Sequence, residues 1–262
     1  MPEGDTVFQT AYRLDSELAG KSLVRGELRH PRLSTLDLKG RLVVGARSVG
    51  KHLFVRFDRE LSLHNHLGMD GAWRFYRPGA GVNHQARVVL GTETTTAVGL
   101  NLQQLSLVPT AEEHRLVDHL GPDLLDPDWS VQHAAESVAR LKAKADTEIG
   151  VALLDQRIMA GVGNVYKAEV CFLLGVSPWT PVSEVDAPRA VELSRDLLLR
   201  NANRSARNTT GDPRRDRTLW VYGRTRTGCL RCGGRVLSAS QGEELRERVT
   251  YYCPRCQPGP RG

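Results

Sequence analysis

Two C-x-x-C pairs, Cys229/Cys232 and Cys253/Cys256, stand 20 residues apart near the end of this 262-residue chain. Two tight turns at that spacing can bring four thiolates into a tetrahedral set around one zinc ion. The tail from residue 218 onward is therefore expected to be a small zinc-finger β-ribbon. A closed four-sulfur shell leaves no open coordination position, so the zinc is expected to be structural and the fold of the tail to depend on it. Five cysteines with four in the last 34 residues make a poor disulfide framework. The fifth, Cys171, sits between Val170 and Phe172 on an apolar helical face and reads as a buried core thiol.

Upstream, periodicity divides the chain in two. Val7, Ala11, Leu14 and Leu18 recur at helical spacing over residues 6–18, and Gly20 supplies a stop. Short β-rich runs at 42–49, 53–57, 61–66, 72–76 and 87–90 follow, separated by Gly, Asp or Pro as in a sandwich or barrel. An acidic stretch with Pro109, Pro122 and Pro127 breaks the pattern. Helices are expected at 131–142, 149–154, 165–174 and 189–202, with residues 160–164 forming a glycine-bearing turn that can offer backbone N–H groups to a phosphate. The expected fold class is α+β in two domains: an N-terminal β-sandwich with a flanking helix (1–110), a linker (111–130), a helical part with a helix-turn-helix-like unit (131–217) and the ribbon (218–262). Residues 203–217 are polar and basic and read as a loop that nucleic acid would order.

The charge is +6, and its distribution says more than its size. Residues 200–235 hold ten Arg against Asp212 and Asp216, whereas 112–136 hold seven acids against Arg115 alone. Arginine supplies 30 of the 36 basic residues, and its planar fork suits phosphate. Arg224, Arg226, Arg231, Arg235, Arg246, Arg248 and Arg255 surround the cysteines, so the ribbon is expected to grip nucleic acid. No apolar run is long enough to span a membrane, and the first residues lack a signal peptide's pattern. The expectation is a cytoplasmic monomer, nucleoid-associated in a bacterium, needing no redox or nucleotide cofactor.

The chain begins Met1-Pro2-Glu3. Removal of Met1 leaves Pro2 with a free secondary amine, and an α-amine titrates near ~8, about two units below lysine, so a useful fraction is nucleophilic at neutral pH. Such an amine adding to the C1′ aldehyde of a sugar gives an iminium cation, an electron sink that acidifies C2′ and lets the 3′-phosphate leave. Glu3 stands beside it as an acid/base. By themselves these residues are an ordinary start.

Five motifs in order alter that weighing. The start MPEGDTV, the segment GKHLF, the hairpin HLGMDG, the turn AGVGNVY and the C-terminal RVTYYCPRCQ make the chain resemble the formamidopyrimidine-DNA glycosylase and endonuclease VIII family almost from end to end. The resemblance implies Pro2 as nucleophile, Glu3 as acid/base and Lys51 as a catalytic contact to the lesion phosphate. It implies Asn164, in the helix-two-turn-helix turn, and Arg248, in the zinc finger, as DNA-backbone contacts. Met69 matches a residue that fills the gap left by the flipped-out base. Arg157 stands where many members carry a phosphate-binding lysine. The implied partner is damaged double-stranded DNA, and the implied activity is removal of an oxidised base followed by strand cleavage.

There are departures. Thr6 stands where many members have a second acid, and Asp5 is out of register with it. Residues 101–108 lack the Arg and aromatic wedge common in the guanine-directed branch. Together with MPEG and the short loop before the ribbon, this favours the endonuclease VIII branch and oxidised pyrimidines. A non-catalytic zinc-ribbon nucleic-acid-binding protein or damage sensor is the alternative. His64 and His66 share one strand face without a visible third metal ligand, so packing or backbone hydrogen bonding is the expectation for them. Trp73, Trp179 and Trp220 read as core or interface residues.

Overall fold

Helix α1 (Gly4–Leu18) buries Val7, Ala11, Leu14 and Leu18, the stripe that its 3.6-residue period defines. The computed structural model, which describes residues 2–245 and 247–260, places this stripe against the core of a β-sandwich. Met1, Arg246, Arg261 and Gly262 lie outside the described residues. One sheet is built from β2 (Val43–Val49), β3 (His52–Phe57), β4 (Leu61–His66) and β8 (Gln104–Pro109), in the order β2-β3-β4-β8. The other orders as β1-β6-β7-β5, from β1 (Arg25–Leu28), β5 (Ala72–Tyr76), β6 (Ala86–Gly91) and β7 (Thr96–Leu100). Every pairing is antiparallel. Leu53, Val55, Phe57 and Leu63 from the first sheet meet Leu28, Trp73, Val88, Leu90 and Ala97 from the second.

Alternation sends the other residues of the first sheet outward. The register sets His52 opposite His66 and Gln104 opposite His66 in turn, then Phe54, His64 and Ser106 in the next row, then Arg56, Ser62 and Val108. A 3₁₀ turn, Thr110–Leu116, follows β8 and brings Glu113 onto this face. Its carboxylate accepts from Arg47 at 2.8 Å, from Arg56 at 2.7 and 2.9 Å and from the Ser62 hydroxyl at 2.6 Å. Burial works to raise the Glu113 pKa, but the hydrogen bonds from Arg56, Ser62 and Arg47 prevail and hold it below the ordinary carboxylate value.

A depressed acid stabilises the fold above its unfolded pKa, and that contribution is lost as the pH falls through the folded value. Glu113→Gln is therefore expected to lower stability by about 2–3 kcal/mol at pH 7, less than for a fully buried pair because both arginines are partly exposed. The deficit relative to wild type should shrink below pH 4. Urea unfolding at several pH values checks both expectations.

The second unit begins at Leu120, the first ending at His119, so the division falls inside the segment read as a linker. It contains α2 (Val131–Lys142), α3 (Ile149–Ala152), α4 (Asn164–Leu174) and α5 (Ala187–Asn201). Ser130 caps α2 in a reciprocal box with His133, and Asp186 caps α5 through the Arg189 N–H. Strands β9 (Leu237–Gln241) and β10 (Arg248–Tyr252) form the antiparallel ribbon. Helix α4 is almost wholly buried, and its Glu169 carboxylate accepts three successive backbone N–H groups, from Trp220, Val221 and Tyr222, as well as the Thr209 hydroxyl.

The basic span 203–217 has its own frame of hydrogen bonds. The Asn201 side chain accepts from the Asn208 N–H and donates to the Asn208 carbonyl, and Asp212 holds both Arg214 and Arg217. Ion pairs this exposed contribute little stability, but they set the direction of the side chains.

Candidate active site and metal centre

Glu3 is the N-cap of α1, and its carbonyl accepts from the Val7 N–H at 3.0 Å. Its side chain is fully buried, and the cap position lies at the positive end of the helix dipole, where a carboxylate is favoured. Pro2, immediately before it, is half-buried. Asp5 is buried as well, but it is turned onto its neighbour: the Thr6 N–H and hydroxyl donate to its Oδ1 at 2.7 and 3.2 Å.

Helix α1 packs on β2 and β3, and the two-residue turn joining those strands is Gly50-Lys51. Gly50 has φ +56, the left-handed conformation that the first position of a primed hairpin turn demands. Lys51 is thus carried at the tip of the hairpin on which α1 lies. Met69 occupies the turn between β4 and β5 and is 54% exposed. The turn is sharp: a Cβ at Gly71 would lie 2.2 Å from the Leu67 carbonyl oxygen, so only glycine fits.

Behind Lys51, four histidines gather on the polar face of the sheet. The His52 ring lies 5.1 Å from that of His64, 5.5 Å from His66 and 5.9 Å from His119. Burial lowers the pKa of His52 to about 3, reinforced by its histidine neighbours, and that of His64 to about 4. His66 is lowered by burial and by Lys51, and its Nδ1 accepts the Gly68 N–H at 3.0 Å.

In the second unit, Asn164 opens α4 and is 5% exposed; its Nδ2 donates to the Val249 carbonyl at 2.8 Å. This bond joins the helical turn to β10, whose first residue is the exposed Arg248. Asn164 Oδ1 is buried without a hydrogen-bond partner among the described residues. Arg157 is exposed and bidentate on Asp155 at 2.7 and 2.8 Å, which raises its pKa, so its charge is partly answered within the chain. Of the arginines read around the cysteines, Arg246 lies outside the described residues.

The ligand sulfurs of Cys229, Cys232, Cys253 and Cys256 all lie within 4.8 Å of one another. Cys229 and Cys256 are 3.8 Å apart and Cys232 and Cys253 3.5 Å, well beyond a disulfide's roughly 2 Å. A tetrahedron with metal–sulfur bonds of ~2.3 Å has edges of roughly 3.8 Å, so the set fits a metal ion. The Gly234 N–H draws Cys232 down to about 7, whereas burial pushes Cys253 and Cys256 up. Four crowded thiolates need a cation between them. Cys171, fully buried with its pKa pushed up to about 12 by burial, is an inert core thiol.

Glu113, Glu169 and the approach of His52 and His119 to His64 and His66 emerge only in the fold. Glu113 sat in an acidic stretch and Glu169 on an apolar helix; a carboxylate so placed must find partners, but which partners depends on the fold. Two of the histidines do leave a signal: the i, i+2 spacing of His64 and His66 puts them on one face of β4.

The model of the formamidopyrimidine-DNA glycosylase N-terminal domain matches residues 1–118, and that of the formamidopyrimidine-DNA glycosylase H2TH domain matches 120–208. The chain is 51% identical to the probable endonuclease 8 2 of Streptomyces coelicolor, over 99% of this chain and 95% of that protein. It is 47% identical to the DNA-(apurinic or apyrimidinic site) lyase Nei2 of Mycolicibacterium smegmatis, over 98% and 99%. The formamidopyrimidine-DNA glycosylase of Acidiphilium cryptum is 32% identical, with 98% of each covered. Among solved structures, Lactococcus lactis formamidopyrimidine-DNA glycosylase bound to abasic-site DNA shares the fold with a TM-score of 0.80 at 21% identity, over 98% of this chain and all of that one. Across both units, then, the chain is a member of the formamidopyrimidine-DNA glycosylase and endonuclease VIII family, in its endonuclease VIII branch.

Proposed function

We propose that this chain is a bifunctional DNA glycosylase and abasic-site lyase of base excision repair that removes oxidised pyrimidines from duplex DNA. The observation that carries this reading is the head of α1: a fully buried Glu3 beside Pro2, on a helix packed against the hairpin that ends in Lys51. Residues 1–110 act as the catalytic part, 131–217 as the helix-two-turn-helix DNA-binding part and 218–262 as the zinc finger, joined through 111–130. The relatives are bacterial and no described helix is long and apolar enough to cross a membrane. A chromosomal substrate sets the site of action in the cytoplasm, at the nucleoid, and one monomer carries every residue invoked.

The chemistry follows from the residues. DNA is held mainly through phosphates, which position the protein without reading sequence. A poorly stacked lesion is extruded at a cost of a few kcal/mol, least for a base that already pairs badly, and the exposed Met69 fills the gap it leaves. The Pro2 nitrogen bonds to C1′ as the base leaves and the nitrogen gives up its proton, and Glu3 delivers a proton to the ring oxygen so that the C1′–O4′ bond opens to give an iminium. Loss of a C2′ proton from the resulting iminium expels the 3′-phosphate, a second elimination expels the 5′-phosphate, and water releases Pro2. Lys51 holds the lesion phosphate during these steps.

Cys229, Cys232, Cys253 and Cys256 are proposed to hold one structural zinc, which when bound fixes the ribbon and with it Arg248. Asn164, bonded to β10, and Arg248 then contact the backbone together, with Arg157 free to exchange Asp155 for phosphate.

Incubation with duplexes that each carry one lesion tests the reading. Strand scission at oxidised pyrimidines, leaving phosphate ends, is expected; tight binding without scission supports the non-catalytic alternatives. Arg248→Ala removes one phosphate contact, so it should weaken binding to all sequences and flatten the salt dependence by about one unit of slope. An unchanged slope would remove Arg248 from the interface.

A further inference from the structure

Lysine is rarely buried outright, yet Lys167, three residues after Asn164 on α4, is fully buried, and the reaction above does not use it. Its Nζ donates to the Thr250 hydroxyl at 2.5 Å. That hydroxyl donates in turn to Gln241 Oε1 at 3.1 Å, with the Arg248 carbonyl at 3.3 Å as its alternative. Gln241 Nε2 then donates to the Glu148 carboxylate at 2.9 Å and to the Pro178 carbonyl at 2.8 Å. Glu148 is the N-cap of α3, so a row of buried hydrogen bonds runs from α4 through both ribbon strands to the head of α3.

The row meets the ribbon at the end that carries Arg248. Gln241 stands opposite Arg248 in the β9–β10 ladder, and Thr250 lies two positions along the same strand as Arg248. Asn164 reaches this end too, through the Val249 carbonyl. The cysteine end is seated differently: Cys229, Val236 and Cys253 pack with Ala168, Phe172 and Val221, and Gln257 donates to the Val176 carbonyl at 2.9 Å. The ladder fixes β9 on β10 but not the pair on the helices, and apolar packing is non-directional. Directional bonds at the Arg248 end therefore set the angle at which the ribbon lies. The site is shaped for them: a Cβ at Gly150, on α3, would lie 2.3 Å from Gln241 Oε1.

We propose that Lys167, Thr250 and Gln241 are positioning residues for Arg248: their row of bonds holds this end of the ribbon on α3 and α4 and so presents the guanidinium to the DNA backbone. This rests on the role proposed above for Arg248. The ammonium of Lys167 is too deeply buried to meet a phosphate itself, so its effect on binding passes through the ribbon.

The test measures the Kd for an uncleavable abasic-analogue duplex at several salt concentrations, together with zinc content and thermal melting, in Lys167→Met, Arg248→Ala and the double variant. Lys167→Met keeps the length of the side chain and removes the donor. Because an apolar residue in place of a buried charge is often neutral or stabilising, it is expected to melt at or above the wild-type temperature with one zinc per chain. Its affinity should nevertheless fall by most of the factor that Arg248→Ala loses, with the salt slope flattened by up to about one unit. In the double variant it should add less than about twofold, because a residue that acts through another is silent without it. Gly150→Ala leaves every donor in place and displaces only the end of the Gln241 side chain, so it should reproduce the loss; it carries the comparison where Lys167→Met proves unfolded.

Wild-type affinity and slope in Lys167→Met, or in Gly150→Ala where that variant stands in, would overturn the proposal. So would additive losses in the double variant, a loss of zinc or melting temperature that accompanies the lost affinity, or unfolding of both variants. The two readings fail differently. If Arg248→Ala itself binds with wild-type affinity and slope, the role of Arg248 falls and the proposal with it; if Arg248→Ala is weak and Lys167→Met is not, only the positioning role falls.

Discussion

Blocking the amine of Pro2 is expected to abolish formation of a covalent adduct with DNA. With borohydride present, the wild-type chain should be trapped on an abasic or oxidised-pyrimidine duplex, because reduction converts the iminium into a stable amine. A tag retained ahead of Pro2, or acetylation of its nitrogen, leaves no lone pair to attack C1′. Removing a nucleophile that works as part of a unit typically costs several powers of ten, so trapping should fall by about a thousandfold or more.

Pro2→Gly is the subtler variant. It retains an amine, but a primary one, whose adduct can lose a proton and become a neutral imine that draws electrons poorly. Its trapping should be slow yet measurable, which separates loss of the secondary amine from loss of the whole N-terminus. Binding of uncleaved lesion DNA should survive in every case, because the phosphate contacts lie elsewhere in the chain. Full activity in a chain whose mass includes Met1 would contradict the proposal.

The sequence spoke clearly wherever a property was local. The C-x-x-C turns, the α1 stripe and the runs at 61–66 and 72–76 appear as read, because spacing, period and flanking turn residues are all contained within a few positions. Strands β1, β7 and β8 went unread. RGEL is four residues long with two charges, TAVGL carries a glycine, and β8 lies mostly within 101–108, the stretch that the resemblance matches to a loop after the hairpin. Each is a strand because a neighbour supplies the ladder, as β6 does for β1 and β4 for β8. Strand propensity is largely packing context, so it cannot be read from such segments alone.

Polar burial was the other blind spot. The partners of Glu113 lie 66 and 57 residues away in Arg47 and Arg56, and Glu169 finds its backbone donors more than 50 residues downstream. Charge patterning along the sequence registers the acid but not the fold that satisfies it. Pro2, Glu3, Lys51, Met69, Asn164 and Arg248 are candidates for a different reason: they lie in motifs with family likeness, and the physics of the isolated residues does not single them out.

Stripping the metal is expected to have the second large effect, and it should be confined to one part of the chain. A structural four-sulfur zinc contributes an apparent ~10–16 kcal/mol near pH 7, more than a ribbon of two five-residue strands can replace by packing. Cys253→Ser removes a ligand whose sulfur is fully buried, and its hydroxyl would be left among three thiols. The purified variant should carry less than one zinc per chain, where wild type carries one, and the ribbon should become sensitive to protease.

Unit 1 does not include the ribbon, so the melting of α1 and the sandwich should change little, and slow trapping at high DNA concentration should persist. DNA affinity should fall much further than for Arg248→Ala. Losing the ribbon removes Arg248 together with the Val249 carbonyl that holds Asn164, so both proposed backbone contacts go at once. Metal analysis, limited proteolysis and binding at two salt concentrations distinguish this from a general loss of fold. If Cys253→Ser bound DNA with wild-type affinity and salt slope, the ribbon would have no part in the grip.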